Sequence, residues 1–264
     1  MKQRVGFELL LGQVLDALPA APATVVDAGG GTGQLAVALA GHGYLVTVVD
    51  TSAAMLATCA QRAADEGGGV AERVATVQGD AADLPRLLAE ESVDAVVCHD
   101  LLTRVDDQAA LLASLAGVLA EGGVLSLGFA NRDWLALRAG RRGDHTGALR
   151  LVEGRGSGGL MPRPPEGRGS EGLMPRPPEG GSEAVTLTEA EQQVDKAGLA
   201  LVAAYGVGVF AEAGDDDLGR AELAALVELE RLVAGREPYR SSARTLHLIA
   251  RRRVFRSDLT GYTP

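Results

Sequence analysis

A short segment near the N-terminus restricts what this chain can fold into. Residues 24–28, TVVDA, form an apolar stretch, and the glycine-rich sequence GGGTG follows it immediately. Glycine lets the backbone adopt left-handed angles and lets a ligand approach main-chain N–H groups, because no Cβ stands in the way. The segment therefore predicts a buried strand, a nucleotide-binding turn and the start of a helix. Its predicted contact residues are Asp27, Gly29, Gly30, Gly31 and Gly33.

A second acidic residue, Asp50, ends the next apolar stretch and follows Gly30 by twenty residues. In nucleotide-binding βαβ units, a carboxylate at about this spacing (~20 residues) binds the ribose hydroxyl groups. Asp50 is therefore predicted to bind the ribose of an adenosine cofactor.

The glycine pattern distinguishes between two classes of cofactor. A dinucleotide fingerprint G-x-G-x-x-G needs a glycine at position 34, where this chain has Gln34. Asp27 lies two residues before the first glycine, where it would receive a cationic amino group rather than a pyrophosphate. Both features favour S-adenosylmethionine, which ends in an amino acid and carries no phosphate. The alternative is a glycine turn in an α/β protein without a cofactor, and the two acids at this spacing argue against it.

These segments resemble the first motifs of a known class of enzyme. DAGGGTGQ followed by VVDTS is similar to motifs I and II of the class I S-adenosylmethionine-dependent methyltransferases, and GDA at 79–81 is similar to motif III. The resemblance implies a Rossmann-like, seven-stranded α/β sheet with helices on both faces. It also implies that Thr51 lies at the second motif and that Asp80 and Ala81 lie at the adenine edge.

Segments in the C-terminal third narrow the resemblance. ELE at 228–230, REPY at 236–239 and RTLHLIAR at 244–251 are similar to the tRNA 5-carboxymethoxyuridine methyltransferases. That resemblance implies formation of a methyl ester on the carboxymethoxy group of a tRNA wobble uridine. The family's cofactor positions correspond here to Arg4, Gly29, Gly30, Asp50, Ala81 and His99.

Two positions depart from the pattern of that family. Gly208 stands where the family has an arginine, and Thr103 stands where it has a glutamate. The acceptor therefore stays open between tRNA and a small molecule methylated on oxygen or nitrogen. A protein that binds S-adenosylmethionine without turnover is a further alternative.

Strand and helix patterns alternate along the chain, as a doubly wound sheet requires. A single domain over 1–264 is expected, interrupted by a low-complexity insertion at 139–183. This insertion contains a tandem repeat, EGRGSGGLMPRPP followed by EGRGSEGLMPRPP, and its proline and glycine content predicts a disordered loop. The predicted strands are 24–28, 46–50, 75–78, 93–99, 124–129, 199–209 and 244–252. The predicted helices are 4–18, 33–41, 53–66, 107–119, 186–198 and 218–234.

Charge and composition set further expectations. The net charge of −10 argues against a general nucleic-acid binder, but residues 132–176 hold nine Arg against five acids, and residues 236–256 hold seven Arg against one. A tRNA acceptor would require these two basic segments to meet on the open side of the site, whereas ordinary solvated arginines need not meet.

The N-terminus lacks a secretion signal and no stretch of about twenty apolar residues is present, so a cytoplasmic protein without a membrane span is expected. Cys59 and Cys98 are expected as buried thiols, and no metal site is expected.

If the acceptor is a carboxylate, the sequence predicts no catalytic residue. An ionised carboxylate is already a nucleophile and needs no general base. His99, at the end of the fourth predicted strand, is expected to line the cofactor pocket, and it would become a base only if the acceptor were a hydroxyl or an amine. His247 lies in an alternating strand and is expected to be packed.

Overall fold

The computed structural model describes residues 4–154, 184–211 and 218–254, and seven strands in these ranges form one sheet. The order across the sheet is β3-β2-β1-β4-β5-β7-β6. β1 to β5 run parallel, and β7 is antiparallel to both β5 and β6. The predicted seven-stranded α/β sheet is therefore confirmed. The strands are β1 (Thr24–Ala28), β2 (Leu45–Asp50), β3 (Val74–Gln78), β4 (Val93–His99), β5 (Leu119–Ala130), β6 (Leu199–Val207) and β7 (Thr245–Arg252).

Helices connect the strands and begin at recognisable caps. Ser52 caps the helix Ala53–Glu66 through its side chain, which accepts from the backbone N–H of Met55, and Thr186 with Glu189 forms a capping box at the start of the helix Leu187–Lys196. Short 3-10 helices occupy Ala71–Arg73, Ala81–Asp83 and Leu102–Arg104. The α-helices are α1 (Arg4–Ala17), α2 (Gln34–Gly41), α3 (Ala53–Glu66), α4 (Leu84–Leu87), α5 (Gln108–Val118), α6 (Arg132–Arg141), α7 (His145–Val152), α8 (Leu187–Lys196), α9 (Arg220–Val233) and α10 (Tyr239–Ser242).

Alternating side chains of the central strands form two separate cores. Val26 and Val96 pack on one face with leucines of α5 and with α8. Val25 and Val97 pack on the opposite face with α1, α2 and α3. Because a strand directs successive side chains to opposite faces, apolar strands of this kind need helices on both sides. Each fully buried valine or leucine contributes about 1.5–3 kcal/mol, so these two faces stabilise the sheet that carries the site.

The predicted start of the insertion at 139 is wrong. Residues 132–141 and 145–152 form α6 and α7, which pack through Leu135, Ala139 and Leu151. The side chain of Asp144 caps α7 by accepting from the backbone N–H of Gly147 at 2.8 Å. Local glycines and arginines suggested a break, but the cap and the buried leucines stabilise a helical hairpin. The tandem repeat lies outside the described residues, so its disorder stays a prediction.

The fifth strand also differs from its predicted start. The predicted fifth strand begins at residue 124, but Glu121 and Gly122 already lie within β5. α5 ends at Val118, and Leu119 already pairs with Val93 of β4. A register shift after this pair accommodates the extra residues.

The two cysteines are free and buried, as expected. Cys59 lies on α3 and is fully buried against the turn that leads into α2. None of the helices in the described part of the chain is both long and apolar enough to cross a membrane.

We expect Gly33→Ala to destabilise the protein. Gly33 caps α2 with φ 71°, and a Cβ there would lie 2.2 Å from the Cys59 sulfur. The left-handed backbone and the overlap together predict a loss of about 2 kcal/mol or more in the free energy of unfolding, measured by urea denaturation. Adding Cys59→Ala to the variant should recover part of this loss, because it removes the overlap and not the backbone strain. Wild-type stability in the single variant would contradict the close packing.

Candidate functional site

The loop between β1 and α2 is held close to β2 by its backbone. The N–H of Gly29 donates to the carbonyl of Val49 at 2.7 Å, and the N–H of Gly33 donates to the carbonyl of Gly30 at 2.9 Å. Gly30 also packs closely on Asp27, because a Cβ at Gly30 would lie 2.5 Å from the Asp27 carboxyl carbon. Thr32 is the one residue of the loop at 29–33 with a side chain, so most of the loop backbone is not covered by a side chain of its own.

Asp50 connects this loop to two others. Its Oδ2 accepts from the N–H of Gly31 at 3.0 Å, and its Oδ1 accepts from the N–H of Ser52 at 2.9 Å. The N–H of Gly79, after β3, donates to the Asp50 carbonyl at 3.1 Å. Each carboxylate oxygen can accept a further hydrogen bond, so both oxygens are fixed and remain competent to bind a ligand hydroxyl.

Asp27 is a buried carboxylate close to Asp50, with 5% of its surface exposed. Its pKa is raised to about 7, first because burial disfavours the charge and then because Asp50 repels it, while the backbone N–H of Ala36 opposes the rise. None of the described Lys, Arg or His side chains forms an ion pair with it. A buried carboxylate without a cation of its own is well suited to a positively charged ligand group.

The third motif lies beside these two loops. Asp80 is exposed and caps the 3-10 helix that follows it, since its Oδ1 accepts from the N–H of Ala82 at 2.9 Å. Ala81 is buried, and its carbonyl accepts from the Ser114 hydroxyl at 2.7 Å. Thr51 is exposed, and its neighbour Ser52 makes the cap of α3.

His99 is half-buried at the end of β4 and is linked to groups inside the sheet. Its Nε2 lies 2.8 Å from the Ser126 hydroxyl, which lies 2.8 Å from Nε2 of His247. Burial lowers the pKa of His99 to about 4, so the ring is neutral at physiological pH. His247 is fully buried, as expected.

Arg4, a further predicted cofactor residue, begins α1, and its side chain lies outside what the structure describes.

Four adjacent strands bring most of the predicted residues to one edge. Asp27 is the penultimate residue of β1, Asp50 ends β2, Asp80 follows β3 and His99 ends β4, and these four strands are neighbours in the sheet. The carboxyl ends of parallel strands form the crevice in which such sheets bind ligands. In the described ranges, no group of three or more His, Cys, Asp or Glu side chains is arranged to hold a metal ion.

The sequence reasoning missed three residues at this edge or behind it. Asp100 follows His99 with φ 58°, and burial raises its pKa although Arg104 and Arg244 oppose the rise. Aspartate tolerates this backbone conformation better than most residues, but no sequence pattern marks the position. Ser126 and His247 were assigned to strands, and only the register between strands places them beside His99.

This arrangement defines a class I S-adenosylmethionine-dependent methyltransferase, and comparison with known proteins agrees. The model of the methyltransferase domain family matches residues 26–127. A solved methyltransferase from Methanosarcina mazei superimposes with a TM-score of 0.61 at 17% identity, over 92% of this chain and 97% of that one. The magnesium protoporphyrin IX methyltransferase of Synechocystis, solved with bound SAH, gives a TM-score of 0.56 at 18% identity, over 95% of this chain and 82% of that one.

Proteins of related sequence narrow the assignment from the class of methyltransferases to one family. The tRNA 5-carboxymethoxyuridine methyltransferase of Escherichia coli O157:H7 is 30% identical over 243 residues, which cover 92% of this chain and 85% of that protein. A ubiquinone biosynthesis O-methyltransferase of Xanthomonas campestris is 34% identical over 116 residues, or 44% of this chain and 46% of that protein. The chain belongs to the methyltransferase family that includes the E. coli enzyme, and its cofactor is S-adenosylmethionine.

We expect S-adenosylmethionine to bind less tightly as the pH falls below about 7. Asp27, with its pKa raised to about 7, is ionised above this pH and protonated below it, and only the ionised form attracts a cationic amino group. The affinity should fall by up to about tenfold per pH unit between pH 7 and pH 5, as measured by calorimetry.

Two variants control this pH prediction. Asp27→Asn should bind the cofactor weakly and without this pH dependence. Asp83→Asn, which changes an exposed acid paired with Arg86, should behave as wild type. A dissociation constant that stays the same from pH 8 to pH 5 would contradict the role of Asp27.

Proposed function

We propose that this protein transfers a methyl group from S-adenosylmethionine to a carboxylate-type acceptor, such as a carboxymethoxyuridine in tRNA. The extent of the similarity carries this proposal. The match to the E. coli tRNA methyltransferase covers 92% of this chain, whereas the match to the Xanthomonas O-methyltransferase covers less than half of it.

The residues at the edge of the sheet fit this cofactor. The Asp27 carboxylate would receive the cationic amino group, the Asp50 carboxylate would receive the ribose hydroxyls, and the glycine loop at 29–33 would supply close backbone contact. Asp80, Ala81 and Thr51 would hold the adenine side of the cofactor, and Arg4 and His99 would complete the set. The buried Asp27 without a cationic partner in the described chain supports this fit.

Positioning is the main contribution of the chain to methyl transfer. When bound, the cofactor supplies an electrophilic methyl group on a sulfonium. An acceptor carboxylate would need no base, so the role of the protein would be to align the two reactants and exclude water. The neutral His99 ring adds no positive charge beside a cationic cofactor.

The described residues of the two basic segments, 132–154 and 236–254, meet only in part. The buried side-chain amide of Asn131 donates to the carbonyls of Ser241 and Ala243, each at 2.8 Å, so the start of α6 and the end of α10 are joined beside the carboxyl edge. The arginines at 251–253 lie at the opposite end of the antiparallel β7, away from this edge. A tRNA surface would therefore use arginines of α6 and of the segment before β7. Four arginines of the two segments, Arg132 of α6 and Arg240 before β7 among them, are paired with acids: Arg132 with Glu189, Arg240 with Glu237, Arg252 with Glu91 and Arg253 with Asp195.

A second candidate is methylation of a hydroxyl group on a small molecule. The neutral imidazole of His99 at the edge of the site favours it, because a neutral histidine can accept the proton of a hydroxyl acceptor. The partial similarity to ubiquinone biosynthesis O-methyltransferases points the same way.

Radiolabelled S-adenosylmethionine distinguishes these acceptors. The protein is incubated with bulk tRNA or with a small-molecule extract, and each product is then treated with mild alkali, which releases a methyl ester as methanol and leaves methyl ethers and methylamines intact. The proposal predicts that tRNA gains label and that alkali releases this label. The rate of labelling should fall steeply as the salt concentration rises. Label only in small molecules would refute the tRNA acceptor, and alkali-stable label in tRNA would refute the carboxylate.

Two matched arginine variants test the surface. Arg141→Gln removes an exposed charge on α6, and Arg253→Gln removes one at the far end of β7. The first should weaken tRNA binding and reduce the slope of affinity against salt by about one unit, and the second should change neither.

A further inference from the structure

A continuous chain of hydrogen bonds runs through the sheet behind His99. Nε2 of His99 and Nε2 of His247 each lie 2.8 Å from the hydroxyl oxygen of Ser126. Nδ1 of His247 lies 2.7 Å from the side-chain oxygen Oε1 of Gln13 on α1. Ser126 and His247 are fully buried, so this chain links α1, β7, β5 and β4 without access to water at its centre.

The register of the sheet and one glycine make the chain possible. His99 pairs with Gly128, and Gly128 pairs with His247 on its other side. A Cβ at Gly128 would lie 2.9 Å from Cδ2 of His99, so the glycine leaves room for the His99 ring to lie over β5 and reach Ser126. The two imidazole rings meet edge to face, with centroids 5.4 Å apart.

The hydrogen-bonding groups fix the direction of the chain. The side-chain oxygen of Gln13 only accepts, so Nδ1 of His247 carries the proton. Burial lowers the pKa of both histidines, and His99 lowers that of His247 further, so both rings are neutral. Nε2 of His247 therefore accepts from the Ser126 hydroxyl, and the Ser126 oxygen accepts from Nε2–H of His99. Nδ1 of His99 is left without a proton.

That nitrogen lies on the open side of the ring. Nδ1 of His99 has no hydrogen bond to any described residue. Among the described residues, the one buried side-chain oxygen or nitrogen without a partner is Oε1 of Gln193, so Nδ1 of His99 is not buried but reached by solvent. His99 stands at the carboxyl end of β4, next to the strand that carries Asp27 and the glycine loop.

We propose that Gln13, His247 and Ser126 are positioning residues that hold His99 in its Nε2–H tautomer, so that Nδ1 is a fixed hydrogen-bond acceptor at the methyl-transfer edge. The group that binds there is a donor, an O–H or N–H of the acceptor, and not an ionised carboxylate. The assignment of this edge to methyl transfer rests on the proposed function, whereas the tautomer itself does not.

Nuclear magnetic resonance of the full-length, ¹⁵N-labelled protein tests the tautomers without any acceptor. Two-bond ¹H–¹⁵N correlations distinguish the two neutral forms of histidine, and His99→Asn and His247→Asn variants assign the signals. We expect the Nε2–H form for His99 and the Nδ1–H form for His247 at pH 7. The opposite pair of tautomers, or a charged ring on His99, would overturn the proposal.

A matched pair of variants at Gln13 tests the positioning role. Gln13→Met removes the accepting oxygen at similar size, and Gln13→Glu keeps an accepting oxygen. The methionine variant should show mixed tautomers at His99 and a kcat about fivefold lower on bulk tRNA, the factor of one ordinary hydrogen bond, with an unchanged KM for S-adenosylmethionine. The glutamate variant should restore the tautomer and most of kcat.

The results of these experiments distinguish a failure of the positioning role from a failure of the proposed tRNA acceptor. Wild-type tautomers and kcat in a folded Gln13→Met variant would overturn the positioning role. If bulk tRNA gains no label with the wild-type protein, the acceptor proposal fails, and kcat is then measured on the small-molecule fraction that gains label. If no fraction gains label, the effect of the Gln13 variants on the His99 tautomer still decides the present proposal.

Discussion

The carboxylate of Asp50 holds the ligand edge of the sheet together, because three loops are hydrogen-bonded to this one residue. Its two oxygens accept from Gly31 after β1 and from Ser52 after β2, and its carbonyl accepts from Gly79 after β3. Hydrogen bonds to an ionised acceptor are stronger than those between neutral groups. The positions of the glycine loop, the start of α3 and the third motif are therefore linked before any ligand binds.

The same carboxylate makes its neighbour costly to ionise. Asp27 is buried and is repelled by Asp50, and the result is a pKa of about 7. A cationic group placed between these acids would relieve the repulsion and offset the cost of burial. A ligand that carries an amino group and ribose hydroxyls but no phosphate satisfies both acids, whereas a pyrophosphate would add negative charge beside them. This electrostatic preference agrees with the family to which the chain belongs.

Local patterns predicted the parts of the structure that depend on neighbours in sequence. The strands β1, β2 and β4 end where the acidic and histidine residues indicated, because each apolar run is followed directly by a turn or cap. α6 and α7 were missed, since their stability comes from packing between helices and not from composition. Ser126 and His247 are 121 residues apart, and only the antiparallel pairing of β5 with β7 brings them together. Strand register of this kind depends on long-range contacts that a single sequence does not reveal.

The measurement that tests the central claim most directly is a calorimetric titration of Asp50→Asn with S-adenosylmethionine. The amide keeps the size of the side chain but loses its charge and places an NH₂ group opposite one of the backbone donors. We predict a loss of about 2–3 kcal/mol in cofactor binding, with a far-ultraviolet circular dichroism spectrum like that of the wild type. Unchanged affinity in the folded variant, or tight binding of NAD by the wild-type protein, would contradict the account.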